Sequence, residues 1–229
     1  MKTVVVPLLV LVLVVAGGGW MVERNGRAPT EQTLSAAASE LAGRPVHVRC
    51  QSLWSDLFSV GRGNLGEVQF DASGRPSDST TLTRGTCAHM GRFLSTHGAA
   101  LACLADVDWS RFTWPAAHGD TCVEGALPEG QAVGTLTHES MHLRGWNDEA
   151  AAQCYAVQEV AWLVARLGGD LQAGAGLARL ALAWTSSMPS EYQSPACHAG
   201  GALDLHPETP NFPTEAFPSP PFSYGPRLR

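Results

Sequence analysis

Isoleucine is absent from the 229 residues, lysine occurs once, at Lys2, and charged residues make up only 16% of the chain. Arginine carries nearly all the basic charge and alanine is abundant, a bias that suits a GC-rich genome and says little about chemistry. There is no run of Lys or Arg, and the net charge is −6, which argues against nucleic acid as a partner because phosphate binding needs clustered cations. No two cysteines stand at C-x-x-C spacing, so a cysteine-held metal site lacks support. No cysteine closes the N-terminal apolar stretch, which argues against a lipoprotein anchor. What remains is ample for one core: 45% of the residues are hydrophobic, enough for a single folded domain.

The ends of the chain read differently from its middle. Lys2 precedes an apolar run from Val4 to Val15, followed by Ala16-Gly17-Gly18-Gly19. Residues 1–22 are therefore an export signal, either a cleaved signal peptide or an N-terminal membrane anchor, since the uncharged stretch from Thr3 to Val22 is just long enough to span a bilayer. Residues 23–31 read as a tether, 32–206 as the folded domain, and 207–229, with seven prolines in 23 residues, as an extended or disordered tail. The bulk of the chain is expected outside the cytoplasm. The even set Cys50, Cys87, Cys103, Cys122, Cys154 and Cys197 agrees, because it favours up to three disulfides in an exported protein. A bridge from Cys154 to Cys197 is the one pairing put forward.

The chemistry concentrates in Thr137-His138-Glu139-Ser140-Met141-His142-Leu143-Arg144-Gly145-Trp146-Asn147-Asp148-Glu149. On a helix, residues four apart share a face, so His138 and His142 can aim imidazole nitrogens at one point. Glu139 lies about 100° around the helix from His138, near enough to take a proton from a water held there without itself being a ligand. A random chain with this many His and Glu residues would contain His-Glu-x-x-His roughly once in 70 sequences, so the context has to decide. Gly145 is a natural helix stop, and Asn147 reads as the N-cap of a second helix beginning Asp148-Glu149-Ala150. The tight turn between them can swing Glu149 back as a third ligand, leaving a fourth position open for water.

At these residues the chain resembles a known class. His138-Glu139-x-x-His142 followed by Glu149-x-x-x-Gln153-x-Tyr155-Ala156 looks like the gluzincin zinc metallopeptidases, and most like their short single-domain members, over about residues 130 to 165. The resemblance implies an α+β, zincin-like fold with a small antiparallel sheet, Zn²⁺ held by His138, His142 and Glu149, and Glu139 as general base. It also implies a peptide or protein substrate, with a strand along the substrate cleft. The seven-residue interval from His142 to Glu149 is shorter than in many gluzincins and keeps Asp148 open as the alternative third ligand. The tail Tyr192-x-Ser194-Pro195-x-Cys197 and Gly200 to Leu205 resembles secreted proteins of high-GC bacteria, a likeness that implies no activity. The expected function is hydrolysis of a peptide or amide bond at the cell exterior. The alternative is a non-catalytic secreted or anchored module that keeps the helical pair, with or without zinc.

The remaining elements follow from pattern. Gln32 to Leu41 reads as a helix stopped by Gly43, while Pro45–Cys50 and Glu67–Asp71 alternate as an antiparallel strand pair, the second placed along the cleft. Asp71 to Ser79, with Gly74 and Pro76, reads as a loop, and Leu82 to Leu104 as one helix, on which His89 and His97 are read as satisfied or solvent-facing. The segment 105–130, with Trp109 and Phe112, reads as irregular, and His118 within it has no assigned role. The metal-bearing helix is expected from near Glu129, with Val133, Leu136 and Met141 facing the core. Ala150, Cys154, Val157, Ala161 and Val164 form the buried stripe of the next helix, where Glu159 is a poorer ligand candidate than Glu149. Leu171 to Ser186 is a third, packing helix, and Tyr192, His198, Asp204 and His206 are the tail residues able to approach the site if Cys197 is tied back.

Overall fold

The computed structural model describes residues 27–52, 65–112, 120–208 and 212–213. Residues 1–22, read above as an export signal, His118 and most of the proline-rich tail lie outside the described residues. The fold is mixed α+β, with helices packed around a small three-stranded sheet.

The first described helix, α1, covers residues 27–42, including the part of the tether from 27 onward, and Gly43 stops it in the left-handed region at φ +69°. Leu34, Ala37, Ala38, Leu41 and Ala42 are its buried stripe. Its polar side does a second job. Ser39 Oγ, Ser35 Oγ and Glu31 Oε1, four residues apart, accept the N–H groups of Val46, Val48 and Cys50 at 3.0, 2.8 and 2.8 Å. These side chains cover the outer edge of strand β1 (His47–Cys50), which would otherwise offer unpaired backbone donors.

Strands β2 (Gly66–Phe70) and β3 (Pro76–Leu82) complete a sheet of order β1-β3-β2. β3 runs antiparallel to β2 and parallel to β1, so the expected antiparallel pairing of the first two strands does not form. The sheet is mixed, and its centre is built from the stretch that composition assigns to a loop. Two local causes explain the difference. The turn is tight: the Asp71 carboxylate accepts the N–H groups of Ser73 and Arg75 at 2.8 and 3.0 Å, and Gly74, at φ +76°, donates to the Asp71 carbonyl at 2.9 Å. The strand is also polar where the core expects apolar side chains. Thr80, 1% exposed, is accommodated there because its hydroxyl donates to the Glu67 carbonyl at 3.0 Å.

Helix α2 (Arg84–Thr96) starts at Thr83, whose hydroxyl accepts from Thr86 N at 3.2 Å. It is shorter than expected. His97 and Gly98 both adopt the left-handed conformation, and the chain resumes as a 3₁₀ segment, Ala99–Asp106, that fully buries Leu101 and Leu104. Helix α3 (Thr121–Arg144) begins well before Glu129, because the Asp120 carboxylate accepts the N–H groups of Cys122 and Val123 at 2.8 and 3.1 Å. Gly125 and Pro128, in the segment read as irregular, lie inside it. Helices α4 (Glu149–Arg166) and α5 (Leu171–Thr185) follow and pack on one another.

All six cysteines are bridged: Cys50–Cys87 joins β1 to α2, Cys103–Cys122 joins the 3₁₀ segment to the start of α3, and Cys154–Cys197 ties the tail to α4. Three disulfides are compatible with a location outside the cytoplasm. Among the described residues no helix is long and apolar enough to cross a membrane.

The close approach of α5 to the 3₁₀ segment rests on one residue. A Cβ at Gly176 would stand 2.4 Å from the Leu104 carbonyl oxygen, a backbone atom that cannot rotate away. Gly176→Ala is therefore expected to destabilise the protein by about 1–3 kcal/mol, read as a lower denaturant midpoint at unchanged slope. An unchanged midpoint would contradict this packing.

Candidate metal centre

The end of α3 is fixed from three sides. Gly145, at φ 114°, closes the helix with its N–H on the His142 carbonyl, and Trp146 N donates to the Met141 carbonyl at 3.1 Å, the paired bonds of a Schellman turn. Arg44 donates from Nε to the Leu143 carbonyl at 3.0 Å and from Nη2 to the Ser77 carbonyl at 2.6 Å, linking the helix end to β3. Asn147 donates to the Gly74 carbonyl at 2.9 Å, which pins the β2–β3 turn to the same corner.

The cap of α4 is one residue later than expected. Asp148, not Asn147, is the N-cap, and its carboxylate accepts Ala151 N at 2.8 Å. Asp148 is thereby committed to the helix, and Glu149 becomes the first helical residue, projecting back toward α3. Its Oε2 lies 3.0 Å from His138 Nε2 and 3.3 Å from His142 Nε2, while the two Nε2 atoms are 2.9 Å apart. The seven-residue interval is thus long enough. His138, His142 and Glu149 form a group that could hold a metal ion, and the rings of the two histidines stand edge to face at 86°.

Hydrogen bonds on the far side of each ring decide which nitrogen carries the proton. His142 Nδ1–H donates to the Trp146 carbonyl at 2.6 Å. For His138 the assignment comes through a relay. The Thr185 hydroxyl donates to the Ala181 carbonyl at 2.8 Å, so it accepts from Gln153 Nε2 at 2.9 Å, and Gln153 presents Oε1 to His138 Nδ1–H at 3.1 Å. Both Nε2 atoms therefore carry lone pairs. Two imidazole lone pairs and a carboxylate oxygen converge on one point, an arrangement that is repulsive unless a cation sits among them. Zinc bonds of about 2.0–2.1 Å in a tetrahedron place ligand atoms about 3.3 Å apart, so the spacing found here fits such an ion with small adjustment.

The charges respond to this crowding. With no cation among them, a proton taken up on an imidazole Nε2 is the other way to relieve the crowding, and hydrogen bonds with His138 and His142 then hold the Glu149 carboxyl well below its ordinary range, against the effect of partial burial. Burial would lower His142, but its contacts with Glu149 and the Trp146 carbonyl, and the charge of Glu139, push it up. Glu139 is 6% exposed, and burial raises its carboxyl to about 7; the charge of His142 opposes the shift, and those of Glu149 and Glu67 add to it. Its Oε2 is buried without a hydrogen-bond partner among the described residues. The β2 backbone presses on it from above: a Cβ at Gly66 would come within 2.7 Å of Glu139 Cγ.

The cluster opens into a cavity of about 670 Å³ lined on one side by β2 from Gly66 to Val68 and on the other by α5 and the segment that follows it. Phe70 meets His142 edge-on, with ring centroids 5.7 Å apart. Of the four tail residues expected near the site, Tyr192 reaches it, its ring centroid 5.7 Å from that of His138. Burial, with the charges of Glu149, Glu191 and Glu139, raises the Tyr192 phenol, so it stays a hydrogen-bond donor. Asp204 instead accepts the N–H groups of Gly200 and His206 at 2.6 and 2.9 Å, while His198 and His206 contact the Ala199 carbonyl and Glu208. The Cys154–Cys197 bridge holds this segment down, helped by Gln158, which pairs with the Leu203 carbonyl and Leu205 N at 2.9 and 2.8 Å. Glu159 is buried, lies outside the cluster, and has its carboxyl raised by that burial.

The roles of Gln153 and Thr185 are not evident from sequence. Gln153 does carry a signal, since it stands one turn after Glu149 on the same face, whereas nothing marks Thr185, 32 residues further on. Gln153→Ala frees the His138 ring to turn and is expected to weaken metal binding roughly 10–100-fold while leaving the melting temperature close to that of the parent. A chelator competition titration reads this directly, and equal affinities would remove the relay from the account.

The chain matches no model of a known protein family, no curated protein and no solved structure.

Proposed function

We propose that this chain is a zinc-dependent peptidase or amidase of the cell exterior, with a zincin-like arrangement of its sheet and paired helices. One observation carries the reading: three acceptor atoms, two of them on histidines whose proton is locked to the opposite nitrogen, converge beside a buried carboxylate in an open cavity. His138, His142 and Glu149 would hold the ion. Bound zinc supplies Lewis-acid polarisation of a carbonyl and lowers the pKa of water.

The remaining work falls to side chains of this protein. Glu139, whose Oε2 has no hydrogen-bond partner among the described residues, accepts the proton of the attacking water and returns it to the leaving nitrogen, so that water and an amide become an acid and an amine. The Tyr192 phenol donates a hydrogen bond to the oxygen that gains charge during attack. β2, an edge strand of the sheet among the described residues, lines the cavity, and an extended substrate backbone would run along it. Cell-wall peptides and ordinary polypeptides both suit these groups.

Hydrolysis of a mixed peptide library, lost on chelation and restored by zinc, tests the reading. Zinc bound at one per chain with no turnover of any amide would overturn it in favour of a non-catalytic module that keeps the helical pair.

A further inference from the structure

The cavity does not end at the metal cluster. It continues back along α3 past Thr135, Gly134 and Gly130, with Leu180 and Trp184 of α5 on the facing side. A Cβ at Gly134 would meet nothing within 4 Å, so one turn before His138 the helix leaves open space. At Gly130, a further turn away, a Cβ would come within 2.7 Å of Leu177 Cδ1, and there the two helices close. Eight residues of helix separate Gly130 from His138, about 12 Å at 1.5 Å per residue. The trough floor is longer than a leucine side chain. All charged residues known to line the cavity sit at its polar end, around the metal cluster and on the rims formed by Glu67 and Glu191. Gln131 and Thr135 are the polar residues of this stretch, and neither carries a charge, so an ionised group pushed into the trough would lose its water without meeting an opposite charge, whereas an apolar group would replace water against Leu180 and Trp184.

We propose that the trough selects the substrate: it takes a large apolar group, alkyl or aromatic, carried next to the bond that is hydrolysed. The inference rests on the hydrolase reading above and adds the substrate's chemical class. The placement follows from chain connectivity, since the stripe of α3 that ends in His138 is the same stripe that forms the trough floor. A group seated there is held one helical turn from the metal ligands. Gly134 is the device: in a helix interior glycine is a poor former, and here it leaves out the side chain that would fill the space, while Gly130 lets the two helices close at the trough's end.

The test uses the full chain loaded with zinc, its metal content measured independently, and a series of hydroxamic acids as metal-directed probes that differ only in the attached group. Calorimetric affinities are expected to rise roughly threefold to fourfold per methylene from acetohydroxamic to hexanohydroxamic acid, about 100-fold in all. Gly134→Leu is expected to cut that ratio to below about tenfold, because the new side chain occupies the trough while the polar end is untouched. Trp184→Ala, which removes the facing wall, is expected to lower the ratio as well. Tighter binding of 3-phenylpropanohydroxamic than of octanohydroxamic acid marks an aromatic side group as the natural occupant, and the reverse marks an alkyl chain. Zinc-loaded protein that binds the whole series alike, or a ratio unmoved by both substitutions, overturns the inference and leaves the metal reading standing. Folded protein that takes up no zinc overturns both.

Discussion

Glu139→Gln is expected to keep its zinc and lose turnover by a factor of roughly 10²–10⁴. The amide has nearly the shape of the carboxyl, so packing against the β2 backbone at Gly66 survives, and none of the three converging ligand atoms belongs to this residue. What disappears is the group that accepts a proton. The variant therefore separates holding the ion from using it, with metal content and peptide hydrolysis measured on the same preparation. Turnover equal to the parent's would remove Glu139 from the mechanism. Loss of zinc together with activity would mean that its carboxylate supports the ligands, a structural role that the present geometry does not assign.

The contrast between what sequence revealed and what it concealed has a physical basis. Helical periodicity is local, so the placement of His138, His142 and Glu139 about one axis could be read from spacing alone. The reversal at Gly145 was equally local. The approach of Glu149 depended on how tightly the turn closes, and the left-handed glycine together with the Asp148 cap settles that in the fold. Spacing alone leaves fifteen pairings of six cysteines open; the one put forward, Cys154–Cys197, forms, and it ties to α4 the segment whose Tyr192 stands over the cluster. β3 was concealed because a central strand built on Thr80 and Leu82 lacks the apolar alternation by which strands are recognised, its buried hydroxyl being satisfied by a partner strand 13 residues away. The early start of α3 was concealed by Gly125 and Pro128, two poor helix residues between the Asp120 cap and Glu129. Thr185 was invisible for the plainest reason: its function exists only once α4 and α5 have packed.

Glu149→Ala is the second large effect expected. It removes one of the three residues proposed to hold the ion and leaves two imidazole nitrogens 2.9 Å apart with no carboxylate among the remaining ligand atoms. Loss of an outer hydrogen-bond partner of a ligand already costs about 10–100-fold in affinity, so loss of the ligand itself is expected to cost roughly 100-fold or more. Asp148→Ala provides the control at the neighbouring carboxylate. It removes the cap on Ala151 N, for a stability loss of about 1 kcal/mol, and is expected to leave metal affinity near the parent value. The pair distinguishes a carboxylate that binds metal from one that starts a helix.

Zinc content is the most direct measurement: the full chain and its Glu149→Ala variant, each reconstituted with zinc, dialysed against a weak chelator and assayed for bound metal and for folding. About one zinc per folded parent chain and a large loss in the variant are expected. No zinc in the folded parent, or equal retention by both proteins, would contradict a centre built from His138, His142 and Glu149.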